Sequence, residues 1–271
     1  MTRLPLQIFA KRSRGWVRLT SIGAMGLIEE RVVDLRSATR PWHEALEGPE
    51  VPEPHSSLAS DDVACPPLPC SRIAWHSLLG AVAAFDRVLD ALESPDADGA
   101  TVLGDLRTAL VHASHAVVVL ALPRRERTDF AMRIAWSALD GAPDDPGVAA
   151  LVAFPIPLAA REISRLLAAR SFKASPRWTD RASVRVAGDH VAARVPDRAL
   201  FEDVVRFVWA ADSGAGILRD DLVTSAESVR VVVDRAVTLW RTRRLAPPQA
   251  AAPATTDETP FGTPTLLAAG S

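Results

Sequence analysis

Three stretches of the chain carry apolar residues at alternating intervals of three and four, which is the period of a helix buried along one face. These stretches run from Leu78 to Leu92, from Leu103 to Leu120 and from Leu222 to Trp240. Ser71 stands where it can cap the first helix, and three arginines around position 243 complement the negative end of the last. The pattern therefore predicts three long amphipathic helices.

Weaker forms of the same pattern predict further helices at 124–140, at 158–171 and at 197–211, the last capped by Asp197. One segment alternates instead, because SVRVAGDHVAARV places apolar residues at every second position on either side of Gly188 and Asp189. Alternation across a Gly-Asp pair is typical of a short hairpin. The predicted fold class is mainly α, a helical bundle with one small β-hairpin.

Both ends of the chain lack the helical period. Residues 1–40 predict two or three short elements at most, and residues 41–70 hold seven prolines, each of which keeps its predecessor out of the helical region. Residues 246–271 show no period and have the composition of a disordered tail. We therefore expect a flexible N-terminal extension with a Pro-rich linker at 1–70, a helical domain at 71–245 and a disordered tail at 246–271.

Composition and charge narrow the class of protein. The 271 residues have a formal net charge of −2 and a pI near 6.3, which excludes a dedicated nucleic-acid coat protein but not a local basic face. Arginine outnumbers lysine 29 to 2, and asparagine and tyrosine are absent, a composition typical of a GC-rich genome. The sequence has no secretory leader pattern and no run of 18 apolar residues, so we expect a cytoplasmic protein with no membrane partner.

Two cysteines, Cys65 and Cys70, form a C-x4-C pair in CPPLPC, with His55 and His76 close to them in sequence. The pair lacks the C-x2-C spacing of a zinc knuckle. We expect two incidental loop thiols, no metal and no other cofactor.

Arg107 and His112 form R-x4-H in LRTALVHASH, a spacing that resembles the R-x4-6-H pattern of the HEPN ribonucleases. The resemblance implies metal-independent cleavage of RNA, in which the histidine moves the 2′-hydroxyl proton and the arginine neutralises the phosphate. Thr108 follows the arginine here, where that family commonly has Asn, Asp or His. The alternative is that His112 and His115, three apart on one helix face, lie at the polar edge of a packed helix.

The next segment, PRRERTDF, gathers Arg124, Arg125 and Arg127 at the start of a predicted helix, where backbone amides also favour anions. A phosphate site is one hypothesis for these arginines. The alternative is intrahelical pairing, because Asp129 lies four residues from Arg125 and four from Arg133. Such pairs are typical of a solvated helix face.

One block carries a resemblance to other proteins. Leu106, Arg107, Ala109 and Leu110 run into the aliphatic residues 116–122, then into Pro123 and several arginines. Over 71–141 this resembles uncharacterised all-helical proteins of high-GC actinobacteria, although Val111 and Val118 stand where that group tends to carry Glu and Trp. The resemblance implies a helical fold and no particular activity.

Residues 157–198 combine a basic surplus with an outline similar to a winged helix-turn-helix. From Arg161 to Arg198 there are nine basic and four acidic residues, a local net charge of +5. A helix, a polar stretch and the predicted hairpin follow one another, but Pro176 falls where a recognition helix would lie. A charged helix and hairpin covering the bundle are therefore the alternative. The nucleic-acid contacts in the winged-helix hypothesis would be Arg161, Arg165, Lys173, Arg177, Arg181, Arg185 and Arg194.

The leading hypothesis from the sequence is a non-enzymatic binding or regulatory protein whose ligand is nucleic acid. The first alternative is the HEPN-like ribonuclease that uses Arg107 and His112. The second is a structural interaction protein whose apolar helix at 103–122 packs against a protein partner or a second copy of the chain.

Overall fold

The computed structural model describes residues 21–64, 69–94, 96–141, 176–192, 198–210 and 217–247. Within these residues the chain is mainly helical, with eight helices and no strand. The helices are α1 (Ser21–Leu46), α2 (Ser57–Ala64), α3 (Cys70–Glu93), α4 (Gly99–Ala121), α5 (Arg124–Gly141), α6 (Pro176–Ala192), α7 (Arg198–Ala210) and α8 (Arg219–Arg244).

Helix α4 is the centre of the packing. It contacts α3 along its length and also packs against α5, α6, α7 and α8. Every residue from 113 to 120 is buried, so the second half of α4 is enclosed on all sides. A helix that is apolar all round is stable in water only when other helices cover it, which explains the nearly unbroken apolar run in this part of the sequence.

The three long helices predicted from the apolar period are confirmed as α3, α4 and α8, but their first turns are capped in other ways. Ser71 is not the N-cap of α3: its backbone N–H instead donates 2.9 Å to the carboxylate of Asp62 in α2. Burial raises the pKa of Asp62 above its usual value. At the start of α4, Asp98 is the N-cap and accepts from the backbone of Ala100 and Thr101.

The N-terminal region is more ordered than the sequence predicts. The 26-residue helix α1 continues through Pro41, and α2 occupies part of the segment expected to be extended. Trp42 follows the proline, is fully buried, and donates from its indole nitrogen 2.6 Å to Asp234 of α8. Burying an indole and pairing its N–H outweigh the backbone bond that one exposed proline removes.

Helix α1 is packed against the helices that follow it. Trp42 meets Phe85 of α3 edge to face at 5.1 Å, and Arg31 donates to both Glu227 and Thr224 of α8. Leu58 of α2 is also fully buried in the same apolar cluster. The division at residue 70 into an extension and a helical domain stays a prediction, but residues 28–64 contribute to the main core.

The predicted β-hairpin is wrong for the residues that the structure describes, because positions 183–192 belong to helix α6. Val184, Ala187 and Val191 are buried and follow one another at intervals of three and four, so they form a helical stripe. Val184 and Val191 also belong to the alternating set, so in so short a segment the two periods share residues and the sequence pattern was ambiguous.

The remaining predicted helices lie partly inside and partly outside the described residues. Helices are confirmed at 124–140, as α5, and at 197–211, where α7 begins at Arg198. The predicted helix at 158–171 and the cap Asp197 lie outside the described residues, as does the tail beyond residue 247.

Candidate binding site

Helix α6 presents two different faces because of its register on α4. Asp180 points inward, where its carboxylate accepts from Nε2 of His115 at 3.1 Å. The side chains of Arg181 and Arg185, one and five residues further on, are exposed. Inward pairing of the acid and outward display of the arginines leave the first half of the outer face of α6 basic, and Asp189 is the exposed acid one turn beyond Arg185.

A groove of about 490 Å³ separates α6 from α7. Its floor is apolar and consists of Val184, Gly188 and Ala192 from α6 with Phe201 and Val205 from α7. At Gly188 the two walls approach closely, since a Cβ there would stand 3.8 Å from the Phe201 ring, an ordinary van der Waals contact. A concave apolar surface of this size is typical of a small-molecule site.

The rim of the groove is charged and carries a positive surplus. Four arginines line it, at 181, 185, 198 and 206, together with Asp189 and Glu202. Arg198 forms ion pairs with both acids. Its Nε donates 2.8 Å to Glu202, and its guanidinium lies 4.0 Å from the carboxylate of Asp189. Arg206 pairs with Asp203. Within the described residues, Arg181 and Arg185 have no carboxylate partner.

The proposed nucleic-acid residues are only partly within the described part of the chain. Arg181 and Arg185 lie side by side on the exposed face of α6, one helical turn apart. Arg185 lies on this helix and not in a β wing. Arg177 lies in the first turn of α6, and its side chain is outside the described residues. Arg161, Arg165, Lys173 and Arg194 lie entirely outside them.

The two histidines of α4 pack toward neighbouring helices, His112 half-buried against α3 and His115 buried against α6. His112 packs on α3 so closely that a Cβ at Gly80 would stand 3.1 Å from its ring, and its Nδ1 is buried with no hydrogen-bond partner in the described part of the chain. Burial, with a smaller contribution from His115, lowers the pKa of His112 to about 4, so this ring is neutral at pH 7. His115 is buried beside Asp180.

Arg107 does not share the environment of His112. Its Nε donates 3.0 Å to the backbone carbonyl of Val208 in α7. Five residues on a helix correspond to about 140° of rotation, which separates the two side chains around α4. The structure therefore places the two members of the R-x4-H pattern in separate environments.

The arginines of PRRERTDF do not form an open anion site. Arg127 is buried and pairs with Asp61 of α2, which also accepts from Arg124 at 3.3 Å and from Arg243 of α8 at 2.5 Å. Arg127 and Arg243 in addition donate to the carbonyls of Leu122 and Leu120 at the end of α4. This Asp61 cluster joins α2, α4, α5 and α8, a role that neither hypothesis for the segment anticipated.

Metal chemistry has little support in the described residues. No group of three or more His, Cys, Asp or Glu side chains there is arranged to hold a metal ion. Cys70 is buried at the start of α3, whereas Cys65 lies outside the described residues. The helices that the structure describes include none with the length and hydropathy needed to cross a membrane.

Comparison of the chain with protein-family models, with curated proteins and with solved structures finds no match. The resemblance of residues 71–141 to actinobacterial helical proteins therefore rests on the sequence pattern alone. The geometry itself defines the site: an apolar groove with arginines on its rim, in a mainly helical protein.

Proposed function

We propose that this chain is a non-enzymatic binding protein that holds an anionic partner on the outer face of α6, and that the partner is a nucleic acid contacted through its phosphates. The observation that carries the proposal is the pair Arg181 and Arg185, whose exposed side chains lie one turn apart without a carboxylate partner in the described residues. Arginine is well suited to phosphate because its planar fork can donate two hydrogen bonds at once.

The local net charge also supports an anionic partner. Residues 161–198 carry a net charge of +5 in a chain of net charge −2. Asp180, which precedes the pair, is turned inward to His115, and the exposed Asp189, which follows it, lies 4.0 Å from Arg198. Phosphate contacts carry no sequence information by themselves, so the proposal implies binding with little sequence preference.

Fluorescence anisotropy with a generic DNA duplex and a single-stranded RNA, at several salt concentrations, tests the proposal. Arg181→Gln and Arg185→Gln are each expected to weaken binding and to reduce the slope of log K against log salt by about one. Arg40→Gln is the matched control, because Arg40 is an exposed arginine that already pairs with Glu44 on α1. Unchanged slopes in both α6 variants, or no binding by the unmodified protein, would contradict the proposal.

The ribonuclease remains an alternative on one observation: the lowered pKa of His112 leaves the ring neutral, as a general base must be, but a pKa of about 4 also makes it a weak base at pH 7. Its weakness is access, because His112 is enclosed by α3 and Arg107 is bonded to Val208. A gel of the same RNA after incubation checks it. Shortening that is lost in both Arg107→Ala and His112→Ala, with the helical content intact, would favour the ribonuclease.

The interaction-module alternative needs an apolar face of the 103–122 helix to be open to a partner. Leu103, Leu106, Leu110 and Leu120 are each at most 2% exposed, because neighbouring helices of the same chain cover them. Any protein partner would therefore bind elsewhere on the molecule.

A further inference from the structure

The groove between α6 and α7 has a feature that phosphate binding does not use, its apolar floor. Val184 and Gly188 lie one turn apart on α6, Phe201 approaches Gly188 from α7, and Val205 extends the same surface along α7. The glycine is unusual at this position, since glycine inside a helix is disfavoured relative to alanine. A Cβ would fit at position 188, so packing among the described residues does not explain why the residue is glycine.

The charges of the rim restrict what can occupy the groove. Arg198 is satisfied by the two acids of the lining, and Arg206 is satisfied by Asp203. The remaining charges, Arg181 and Arg185, lie on the same side of the groove because both belong to α6. A complementary occupant is apolar along most of its length and anionic at one end.

We infer that the groove between α6 and α7 binds a free long-chain carboxylate. Its hydrocarbon chain lies along Val184, Gly188 and Phe201, and its carboxylate accepts hydrogen bonds from Arg181 and Arg185. The chain supplies the affinity by leaving water, and the arginines set the orientation and the preference for an anion. A volume of about 490 Å³ accommodates one such chain.

This inference deepens the proposed function by naming a regulator of the same surface. A carboxylate held by Arg181 and Arg185 competes with nucleic-acid phosphate for the same donors. The competition rests on the proposed function, but binding of the carboxylate does not, because the floor of the groove supports it independently. The two proposals therefore fail separately.

Isothermal titration calorimetry of the full chain with dodecanoate, kept below its micellar concentration, tests the inference. Dodecanoate is expected to bind with one-to-one stoichiometry, and octanoate at least tenfold more weakly, because each buried methylene is worth about fourfold in Kd. Dodecyltrimethylammonium has the same chain and the opposite charge, and it is expected to bind at least tenfold more weakly than dodecanoate. Equal binding of the two dodecyl probes, or of the two carboxylates, would overturn the inference.

Two variants separate the floor from the rim. Gly188→Leu fills the floor without changing the charge and is expected to lower dodecanoate affinity at least tenfold, with Gly188→Ala as the smaller matched change. Arg181→Gln combined with Arg185→Gln is expected to abolish the preference for dodecanoate over dodecyltrimethylammonium. Circular dichroism shows whether each variant is folded, and the probe series on the unmodified protein decides the matter if either is not.

Competition distinguishes the two proposals. If nucleic acid binds, saturating dodecanoate is expected to weaken it in the unmodified protein and not in Gly188→Leu. Calorimetric binding of dodecanoate without any nucleic-acid binding would leave the groove assignment standing and remove the proposed function. Binding to phosphatidylglycerol vesicles with no response to monomeric dodecanoate would identify a lipid surface and overturn the inference.

Discussion

The ring of His112 on α4 lies directly over Gly80 on α3, with only 3.1 Å between its Cγ and the place where a Cβ at position 80 would stand. The His112 ring can approach the α3 backbone this closely because the residue at position 80 is glycine and has no side chain. The imidazole fills the space, and its Nδ1 is buried with no hydrogen-bond partner among the described residues. A polar ring thus packs at the edge of the core, at some cost in desolvation.

The pH dependence of stability follows from this burial. The folded pKa of His112, about 4, lies below the unfolded value of 6.5, so the folded chain binds fewer protons between these limits. The stabilisation is therefore complete above pH 6.5 and is lost as the pH falls toward 4, by about 3 kcal/mol. Urea unfolding across this range measures it.

His112→Leu is expected to remove this part of the pH dependence, since leucine does not titrate. His115, Asp180 and Arg87, the charged neighbours that act on the ring, remain in that variant, so the difference between the two curves isolates His112. His55→Asn is the matched control because His55 is exposed and has a positive φ, which asparagine tolerates. Parallel curves for the unmodified protein and His112→Leu would show that the ring does not titrate in this window.

The two glycines Gly80 and Gly188 are expected to respond in opposite directions to the same substitution. Both lie inside helices, but alanine at 80 would crowd the His112 ring, whereas alanine at 188 would meet only Phe201 at 3.8 Å. Gly188→Ala is expected to raise the free energy of unfolding by about 0.5–1 kcal/mol, through helix propensity. Gly80→Ala is expected to lower it by up to about 2 kcal/mol, because overpacking against His112, at about 1–3 kcal/mol, exceeds the same propensity gain. Chemical denaturation of both variants gives the comparison, and shifts of the same sign would contradict it.

The Asp61 cluster is expected to tolerate little change. Asp61 is buried and is the acid shared by Arg127 and Arg243, so Asp61→Asn leaves a buried guanidinium without its counter-charge. We expect a loss of about 3–5 kcal/mol in the free energy of unfolding. Glu44→Gln, which removes an exposed intrahelical pair with Arg40, is the control and is expected to cost less than about 0.5 kcal/mol. A similar small loss in both variants would mean that the cluster contributes no more than a surface pair.

How far the sequence predicts this fold depends on the kind of signal. Long apolar stripes identify α3, α4 and α8, because burial on one face imposes the helical period on the sequence. Helix α1 carried a similar stripe, with Val32, Leu35 and Trp42 at helical spacing, but Pro41 favoured an extended interpretation. A proline inside a helix is tolerated when the residues around it are buried, and the sequence does not state that burial.

The site shows the opposite case. Charge counting selected Arg181 and Arg185, which lie on the rim of the groove, but it could not select Phe201 or Val205 on the floor. Such residues look like ordinary core positions until the packing shows which side of them is open. Asp61 was missed for a related reason, since its partner Arg243 lies 182 residues away and no local pattern links them.

The pairing of α1 with α8 has a consequence for synthesis on the ribosome. Trp42 and its acceptor Asp234 are 192 residues apart, so at about 5–20 residues per second the tryptophan is made roughly ten to forty seconds before its partner. During that interval the apolar stripe of α1 has no α8 to cover it. Until α8 is made, this face of α1 is therefore exposed to aggregation. The 26-residue helix α8 then covers α1 and packs against α3 and α4.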